Sequence, residues 1–300
     1  MEISSRSIRL VSLFALIAAV FASGASASQL IDRNAKGVRL EVNAKGEALL
    51  SYTVHGRVRH VLAWGGVNAI APTQSRRQVA LKLDYAGGWG KYRTSYWKKF
   101  KNACRPYRGP KLAWYVAGCT AADGSYWALQ AWQRMLPNYG VAASAAQSAW
   151  ELRLSHWTGE LPVLQISTDW AWHQWDHLFG TFSYGGAPVY GFEATPRGNP
   201  LDNFGRNVYV DTFDSAYGRG WRRENSFLTH TGTGVFCYSV NPHGSRPAGN
   251  GSKYRATVEG PGATPDVMWE GAAPGSYDRE ADVIANDSIT QLGDGQCHAN

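Results

Sequence analysis

Residues 178–192 read Leu-Phe-Gly-Thr-Phe-Ser-Tyr-Gly-Gly-Ala-Pro-Val-Tyr-Gly-Phe, and this stretch carries the strongest local folding signal in the chain. Two apolar runs, 178–184 and 188–192, flank the pair Gly185-Gly186. Glycine tolerates the positive φ angles that a tight two-residue turn requires, so such a pair between strand-like runs is typical of a β-hairpin. The stretch therefore predicts antiparallel strands.

The same pattern extends through most of the chain. Short alternating or apolar runs, separated by Gly, Pro and Asn turns, predict strands at 38–42, 47–54, 58–64, 78–85, 113–120, 126–134, 149–157, 162–172, 207–213, 225–230, 234–240 and 253–259. Many short strands with such turns favour an all-β, mostly antiparallel fold, a β-sandwich or jelly roll with short helices and long loops. A short basic helix is predicted over 92–102, and the chain after Gly260 is expected to be loop-rich.

The first 27 residues have the pattern of a secretory signal peptide. Arg6 and Arg9 precede an uncharged apolar run at 10–22, and Ala25-Ser26-Ala27 follows as a small-x-small cleavage site. The apolar run is shorter than the roughly 20 residues of a membrane-spanning helix. We therefore expect cleavage before Ser28, a secreted product that is extracellular or bound to the cell wall, and no membrane span after cleavage. The remainder, residues 28–300, is expected to be one large β domain, or two packed halves with a boundary near 138–147.

The four cysteines are Cys104, Cys119, Cys237 and Cys297, an even number that favours disulfides in an exported chain. We predict the pairs Cys104–Cys119 and Cys237–Cys297; four unpaired thiols are the alternative. No Cys and His spacing suits a zinc site, and we expect neither a metal nor a cofactor.

Charge is distributed unevenly along the chain. Residues 28–165 contain 19 Lys and Arg against 7 Asp and Glu, whereas residues 166–300 contain 9 against 15. This asymmetry predicts either an anionic partner for the first half or attraction between the two halves.

The densest positive charge lies in the basic–aromatic segment, residues 85–122, which contains no acidic residue. Its cations are Lys91, Arg93, Lys98, Lys99, Lys101, Arg105, Arg108 and Lys111, and its aromatic residues include Trp89, Tyr92, Tyr96, Trp97, Phe100 and Tyr107. Cations attract an anionic polymer at long range and aromatic rings supply contact area, particularly for sugars. The segment predicts binding of an extracellular, anionic polysaccharide or cell-envelope polymer, with nucleic acid not expected; a solvated positive face is the simpler alternative.

A second hypothesis is an enzyme acting on such a polymer, a glycoside hydrolase or polysaccharide lyase. The candidate acids, bases and nucleophiles are Asp169, His173, Asp211, Asp214 and Glu224. Asp169 and His173 share a face on either a helix or a strand, and glycoside hydrolysis requires paired carboxylates. Capping the turn at 215–218 is the simpler role for Asp214, and the one that its sequence context favours. A third hypothesis is a non-catalytic structural or interaction protein of the cell surface, in which the 13 Trp and 15 Tyr residues only pack.

Overall fold

The computed structural model describes residues 28–135, 148–171, 175–189, 193–194, 200–215, 218–223, 229–230, 235–240, 251–259 and 262–291. The predicted signal peptide, His173, Glu224 and Cys297 lie outside these ranges. The side chain of Cys237 is also outside the description.

The first part of the chain forms two antiparallel sheets. The strands are β1 (Gln29–Arg33), β2 (Lys36–Val42), β3 (Ala48–Val54), β4 (Arg57–Trp64), β5 (Lys82–Asp84), β6 (Arg105–Pro106), β7 (Tyr115–Thr120), β8 (Tyr126–Met135) and β9 (Ser148–Trp157). One sheet has the order β2-β3-β4-β5, and the other has the order β1-β9-β8-β7-β6. Their inner faces share one apolar core, to which Leu50 and Tyr52 of β3 and Trp127 and Leu129 of β8 contribute. Alternation along each strand sends these residues inward, as in a β-sandwich.

The second part of the chain repeats this architecture. The strands are β10 (Val163–Ala171), β11 (Trp175–Tyr184), β12 (Ala187–Pro188), β13 (Glu193–Ala194), β14 (Pro200–Leu201), β15 (Asn207–Ser215), β16 (Gly218–Arg223), β17 (Thr229–His230), β18 (Val235–Val240), β19 (Lys253–Glu259) and β20 (Val267–Ala272). One sheet has the order β10-β11-β18-β17, with β12 beside β11. The other has the order β13-β14-β15-β19-β20, with β16 beside β15. A second apolar core contains Leu178, Phe182, Val208 and Val258. The predicted all-β, antiparallel fold is confirmed.

The glycine turn at 185–186 joins β11 to β12. Gly185 has φ 60° and Gly186 has φ 76°, and Ser183 pairs with Pro188 across the turn. Both central residues have the positive φ of a type I′ turn, whose twist matches that of the flanking strands. The predicted hairpin is confirmed as far as Val189; residues 190–192 lie outside the description.

The prediction of one helix over 92–102 is wrong. A four-residue helix, α1 (Trp89–Tyr92), ends where Arg93 adopts φ 55°, and a separate 3-10 turn spans Tyr96–Lys99. The left-handed conformation at Arg93 interrupts the helical hydrogen-bonding pattern. The segment is thus folded by its aromatic contacts with the sheet rather than by helical propensity.

The prediction of a loop-rich chain after Gly260 is also wrong. The chain forms β20 and then α2 (Arg279–Gln291), which packs against β10. The Asp278 carboxylate accepts hydrogen bonds from the backbone N–H groups of Glu280 and Ala281 at 2.9 and 3.1 Å, which caps the helix. Exposed Val283 and Ile284 blur the apolar stripe, which is why periodicity alone did not indicate this helix.

The predicted disulfide Cys104–Cys119 is formed, with an S–S distance of 2.01 Å. Cys119 lies on β7 and is fully buried in the first core. The bond therefore anchors the middle of the basic–aromatic segment, at Cys104, to β7 of the sandwich.

Charged residues fill the junction between the two sandwiches. Arg153 of β9 binds Glu259 of β19 at 2.5 Å, and Arg255 of β19 donates to the carbonyl oxygen of Gln133 at 2.8 Å. Residues 138–147, the expected boundary, lie outside the description; the strands on either side of them, β8 and β9, pair with each other from Tyr126↔Trp157 to Met135↔Ser148. The two sandwiches have separate apolar cores, and buried charged side chains such as Arg153 and Glu259 lie between them.

Candidate functional site

Two glycines let the basic–aromatic segment turn tightly against β4. Gly87 has φ 61°, and a Cβ there would lie 2.7 Å from Cδ1 of Trp97. Gly88 has φ 99°, and a Cβ there would lie 2.5 Å from Cβ of Tyr96. Any larger residue would push these two rings away, so the glycines determine where the rings sit.

Trp97 is held on the surface of the sheet by His60. The two rings stack with centroids 4.0 Å apart, and His60 Nδ1 lies 2.9 Å from Ser51 Oγ. Burial lowers the pKa of His60, so the ring is neutral at pH 7. Trp97 nevertheless keeps 36% of its surface exposed, and Trp89 keeps 54%. Both indoles are accessible to a ligand.

The other rings of the segment are engaged with each other. Tyr92 stacks on Tyr96 at 4.2 Å, and Tyr96 meets the edge of Phe100 at 5.9 Å. Tyr107 packs against Tyr126 at 5.7 Å. These contacts assign the three tyrosines and Phe100 to packing rather than to a ligand.

Lys91 is neutralised within the first sandwich. Its Nζ lies 2.6 Å from Oε1 of Glu47 and 4.3 Å from the centroid of the Trp64 ring. Burial raises the pKa of Glu47, but hydrogen bonds from Lys91, Tyr92 and Asn43 outweigh burial and hold this pKa below its usual value. Lys91 therefore positions the segment, and the prediction that it is a free cation for ligand binding is not supported by this ion pair.

The remaining cations of the segment face solvent. Each is exposed, and none lies within 4.0 Å of an acidic side chain among the described residues: Arg93, Lys98, Lys99, Lys101, Arg105, Arg108 and Lys111. Lys98 Nζ also lies 5.4 Å from the centroid of the Trp97 ring. In the described structure, the acidic second half of the chain does not neutralise this surface.

Beside Trp97 the structure opens a cleft of about 340 Å³, here called the edge cleft. Its lining residues are Arg57, Val58, Arg59, His60, Tyr85, Ala86 and Trp97. The short β5 pairs only with Leu62, Ala63 and Trp64, so no described strand covers residues 57–61 on that side of β4. The cleft therefore lies along an open sheet edge.

Two arginines that sequence reasoning missed extend the positive surface into the edge cleft. Arg57 is exposed and has no ion pair with a described acidic residue. Arg59 lies 3.9 Å from Asp32, a long and half-exposed contact that neutralises it only weakly. The alternation Arg57-Val58-Arg59-His60 after the His55-Gly56 turn was visible in the sequence, but the opening of the edge depends on the length of β5.

The described catalytic candidates do not converge. Asp169 is exposed on β10, in a different sheet from Asp211 and Asp214. Asp211 is fully buried between Arg223 Nε at 2.6 Å and Arg255 Nη2 at 2.9 Å, which fits a structural role and leaves no route to a substrate. Asp214, with φ 52°, accepts a hydrogen bond from the Gly220 N–H at 2.7 Å and shapes the turn between β15 and β16.

A hydrogen-bonded Asp–Ser–His arrangement, in which Ser125 and His156 are buried and Asp123 is exposed, also escaped sequence reasoning. Ser125 Oγ lies 2.6 Å from Asp123 Oδ1 and 2.9 Å from His156 Nε2, and His156 stacks on Trp127 at 3.9 Å. Ser125 is 2% exposed, so its hydroxyl is closed to a substrate. His156 is 5% exposed, so it is a polar element of the core, and this burial lowers its pKa.

Comparison with protein families, with curated proteins and with solved structures finds no match to this chain. Within the described ranges, no helix is long and apolar enough to cross a membrane. The same ranges contain no group of three His, Cys, Asp or Glu side chains that could hold a metal ion.

Proposed function

We propose that this protein is exported and binds an anionic extracellular polysaccharide or cell-envelope polymer through its basic–aromatic segment. The observation that carries the proposal is the row of seven exposed cations without a described acidic partner, next to the exposed rings of Trp89 and Trp97. Exposed cations without an acidic partner can bind a polyanion, and an exposed indole offers a flat apolar face to a sugar ring.

The energetics favour many weak contacts. A single exposed ion pair contributes about 0–1 kcal/mol, so no one lysine holds the polymer. Several cations acting on one chain give an affinity that depends strongly on salt, because the Debye length shrinks from about 10 Å at 0.1 M to about 3 Å at 1 M. Stacking on the indoles adds a contribution that salt screens less.

The enzyme hypothesis has less support from the described residues. Retaining and inverting glycoside hydrolysis both need two carboxyl groups facing one bond. Asp211 is occupied by two arginines, and Asp214 is held in a turn. Binding without turnover is therefore the function that we propose.

The test is retention of the purified protein on immobilised polygalacturonate, with uncharged dextran as the matched neutral polymer. We expect retention on polygalacturonate at 0.05 M salt, elution well below 1 M salt, and no retention on dextran. Assays for reducing ends and unsaturated products on the same samples separate binding from hydrolase or lyase activity.

A pair of double variants locates the binding surface. Lys98→Gln with Lys99→Gln should elute at clearly lower salt, whereas Lys36→Gln with Lys253→Gln removes the same charge from other exposed positions and should elute close to the parent. The proposal fails if no anionic polymer retains the protein, or if the two double variants elute together. Export is tested separately by mass spectrometry of protein recovered from the medium, which should begin at Ser28.

A further inference from the structure

We propose that the edge cleft is the specific subsite of this surface and that it holds one carboxylated sugar residue, a uronate, of the polymer. The inference deepens the proposed function and rests on it. The exposed lysines attract any anionic polymer, whereas the edge cleft selects a carboxylated sugar unit within the polymer.

The size and floor of the edge cleft suit a single sugar ring. Its volume of about 340 Å³ is at the small end of ligand pockets, which hold about 300–1,000 Å³. Residues 57–60 of β4 line the cleft, and because no described strand pairs with them on the side away from β3, alternate backbone N–H and C=O groups point to that side. Such groups donate to and accept from ring hydroxyls.

The two walls differ in chemistry. Successive side chains of a strand point to opposite faces, so Arg57 and Arg59 lie on one side of the edge and Val58 and His60 on the other. Trp97 extends the second wall and is backed by His60. A planar guanidinium matches a carboxylate in a bidentate geometry, and an indole face matches the C–H face of a sugar.

The test compares two arginine variants with two oligosaccharides. Oligogalacturonate and its carboxyl-reduced counterpart are titrated calorimetrically into the parent, Arg57→Gln and Arg39→Gln; Arg39 is an exposed arginine on β2 of the same sheet. We expect the parent to prefer oligogalacturonate, and Arg57→Gln to weaken that binding about tenfold or more. Arg39→Gln should behave as the parent.

Two results would overturn this inference. One is equal affinity of Arg57→Gln and Arg39→Gln for oligogalacturonate; the other is equal affinity of the parent for the charged and reduced sugars. If polygalacturonate retention through Lys98 and Lys99 persists in either case, the subsite fails and the proposed function stands. If retention is absent as well, both fail.

A separate observation concerns Ser28 and the buried junction. Ser28 is fully buried; its Oγ donates to Asp266 Oδ2 at 2.7 Å, and its carbonyl oxygen accepts from Arg153 at 3.3 Å. The backbone nitrogen of a serine is three covalent bonds from its Oγ, so the nitrogen of Ser28 lies within about 6.5 Å of the same carboxylate.

This site holds more buried negative charge than buried positive charge. Glu151, Glu259 and Asp266 are all buried and share Arg153, which contacts them at 2.6, 2.5 and 3.9 Å, and Glu151 also pairs with the half-exposed Arg33. Asp266 Oδ1 and Glu259 Oε2 are buried with no hydrogen-bond partner among the described residues. Burial raises the pKa of Asp266 to about 6, and the neighbouring Glu259 adds to the shift.

We infer that removal of the leader, residues 1–27, places the new α-ammonium group of Ser28 at Asp266 and so completes the junction. Hydrolysis of the 27–28 peptide bond converts an amide N–H into a cation at this position. The inference rests on the proposed export, and its consequence is that processing stabilises the contact between the two sandwiches.

The test compares protein released from a cleavable fusion to begin at Ser28 with protein that begins at Ala27. We expect the Ser28 form to melt at least about 4 °C higher at pH 7. An ion pair raises the pKa of the amine above its usual value of about 7.7–8.0, so the advantage disappears as the pH rises through the raised value. It also disappears at low pH, where Asp266 becomes protonated and no longer pairs with the amine. Equal melting temperatures, or equally fast labelling of the two α-amines by an amine-reactive reagent, would overturn the inference.

Discussion

Substituting Asp211 by Asn isolates one buried electrostatic contribution, because a single carboxylate there serves two arginines. Asp211 is fully buried, and its two oxygens bind Arg223 and Arg255, whose side chains are 7% and 0% exposed. The amide preserves the shape of the side chain and removes its charge. Two guanidinium groups then remain in the interior without their counter-ion.

The expected cost follows from the burial. Breaking a buried ion pair from one side costs about 3–5 kcal/mol. Domains of this kind have a total unfolding free energy of about 5–15 kcal/mol, so Asp211→Asn should remove at least about a fifth of it. With a guanidinium chloride m-value of about 4 kcal/mol/M, the unfolding midpoint should fall by about 1 M.

Asp214→Asn is the matched control, because it makes the same chemical change three residues along β15. Asp214 is exposed, and asparagine also tolerates its positive φ and accepts the Gly220 hydrogen bond, so we expect a change within about 0.5 kcal/mol. Equilibrium unfolding followed by tryptophan fluorescence measures both variants. Equal midpoints for the two would refute the assignment of Asp211 as the counter-ion of the buried arginines.

Three further outcomes are expected. Replacing Cys104 and Cys119 by Ser opens a bond between residues 15 apart and should lower stability by about 3 kcal/mol in denaturant titrations; an unchanged midpoint in the reduced parent would contradict this. Gly87→Ala should displace Trp97 and shift its emission, because its Cβ would overlap the indole; unaltered emission and stability would count against the packing described here. Burial holds the pKa of His156 in the folded protein below that of the unfolded chain, so the free energy of unfolding should fall as the pH drops below about 6.5, by at most about 1.4 kcal/mol per pH unit. His156→Gln should reduce this dependence of stability on pH. An equal dependence in the variant would show that His156 is not its source.

The sequence was most informative where folding is local. The glycine turn at 185–186, the alternation over 149–157 and the spacing of Cys104 and Cys119 each depend on a few neighbouring residues, and the structure bears out all three. Secondary structure of this kind follows from side-chain periodicity and turn chemistry, which a single sequence displays.

The buried ion pairs between the two sandwiches could not be predicted from local sequence patterns. The alternation of β9 places Glu151 and Arg153 opposite the apolar face, where solvent is the ordinary expectation for charged side chains. Both are instead 1% exposed, because β19 and the chain near Asp266 cover them from more than 100 residues away. Only the packing of two complete sandwiches creates that environment.

The edge cleft could not be predicted from the sequence either. Arg57 and Arg59 are ordinary residues in a strand pattern, and edge strands often carry such charges to prevent aggregation. Their placement beside Trp97 depends on the short β5 and on the tight turn at Gly87. For Asp211 the sequence pattern was misleading. Its spacing from Asp214 suggested a catalytic carboxylate pair, whereas in the fold Asp211 is the buried counter-ion of Arg223 and Arg255.

The pairing of β1 with β9 bears on the order in which the chain acquires its structure. Gln29 lies opposite Leu154, so the first strand finds its partner only after about 120 more residues have emerged. If the chain is exported N-terminus first, as proposed above, β1 stays unpaired until about half of the chain has crossed the membrane. Cleavage before Ser28 would then precede closure of the first sandwich.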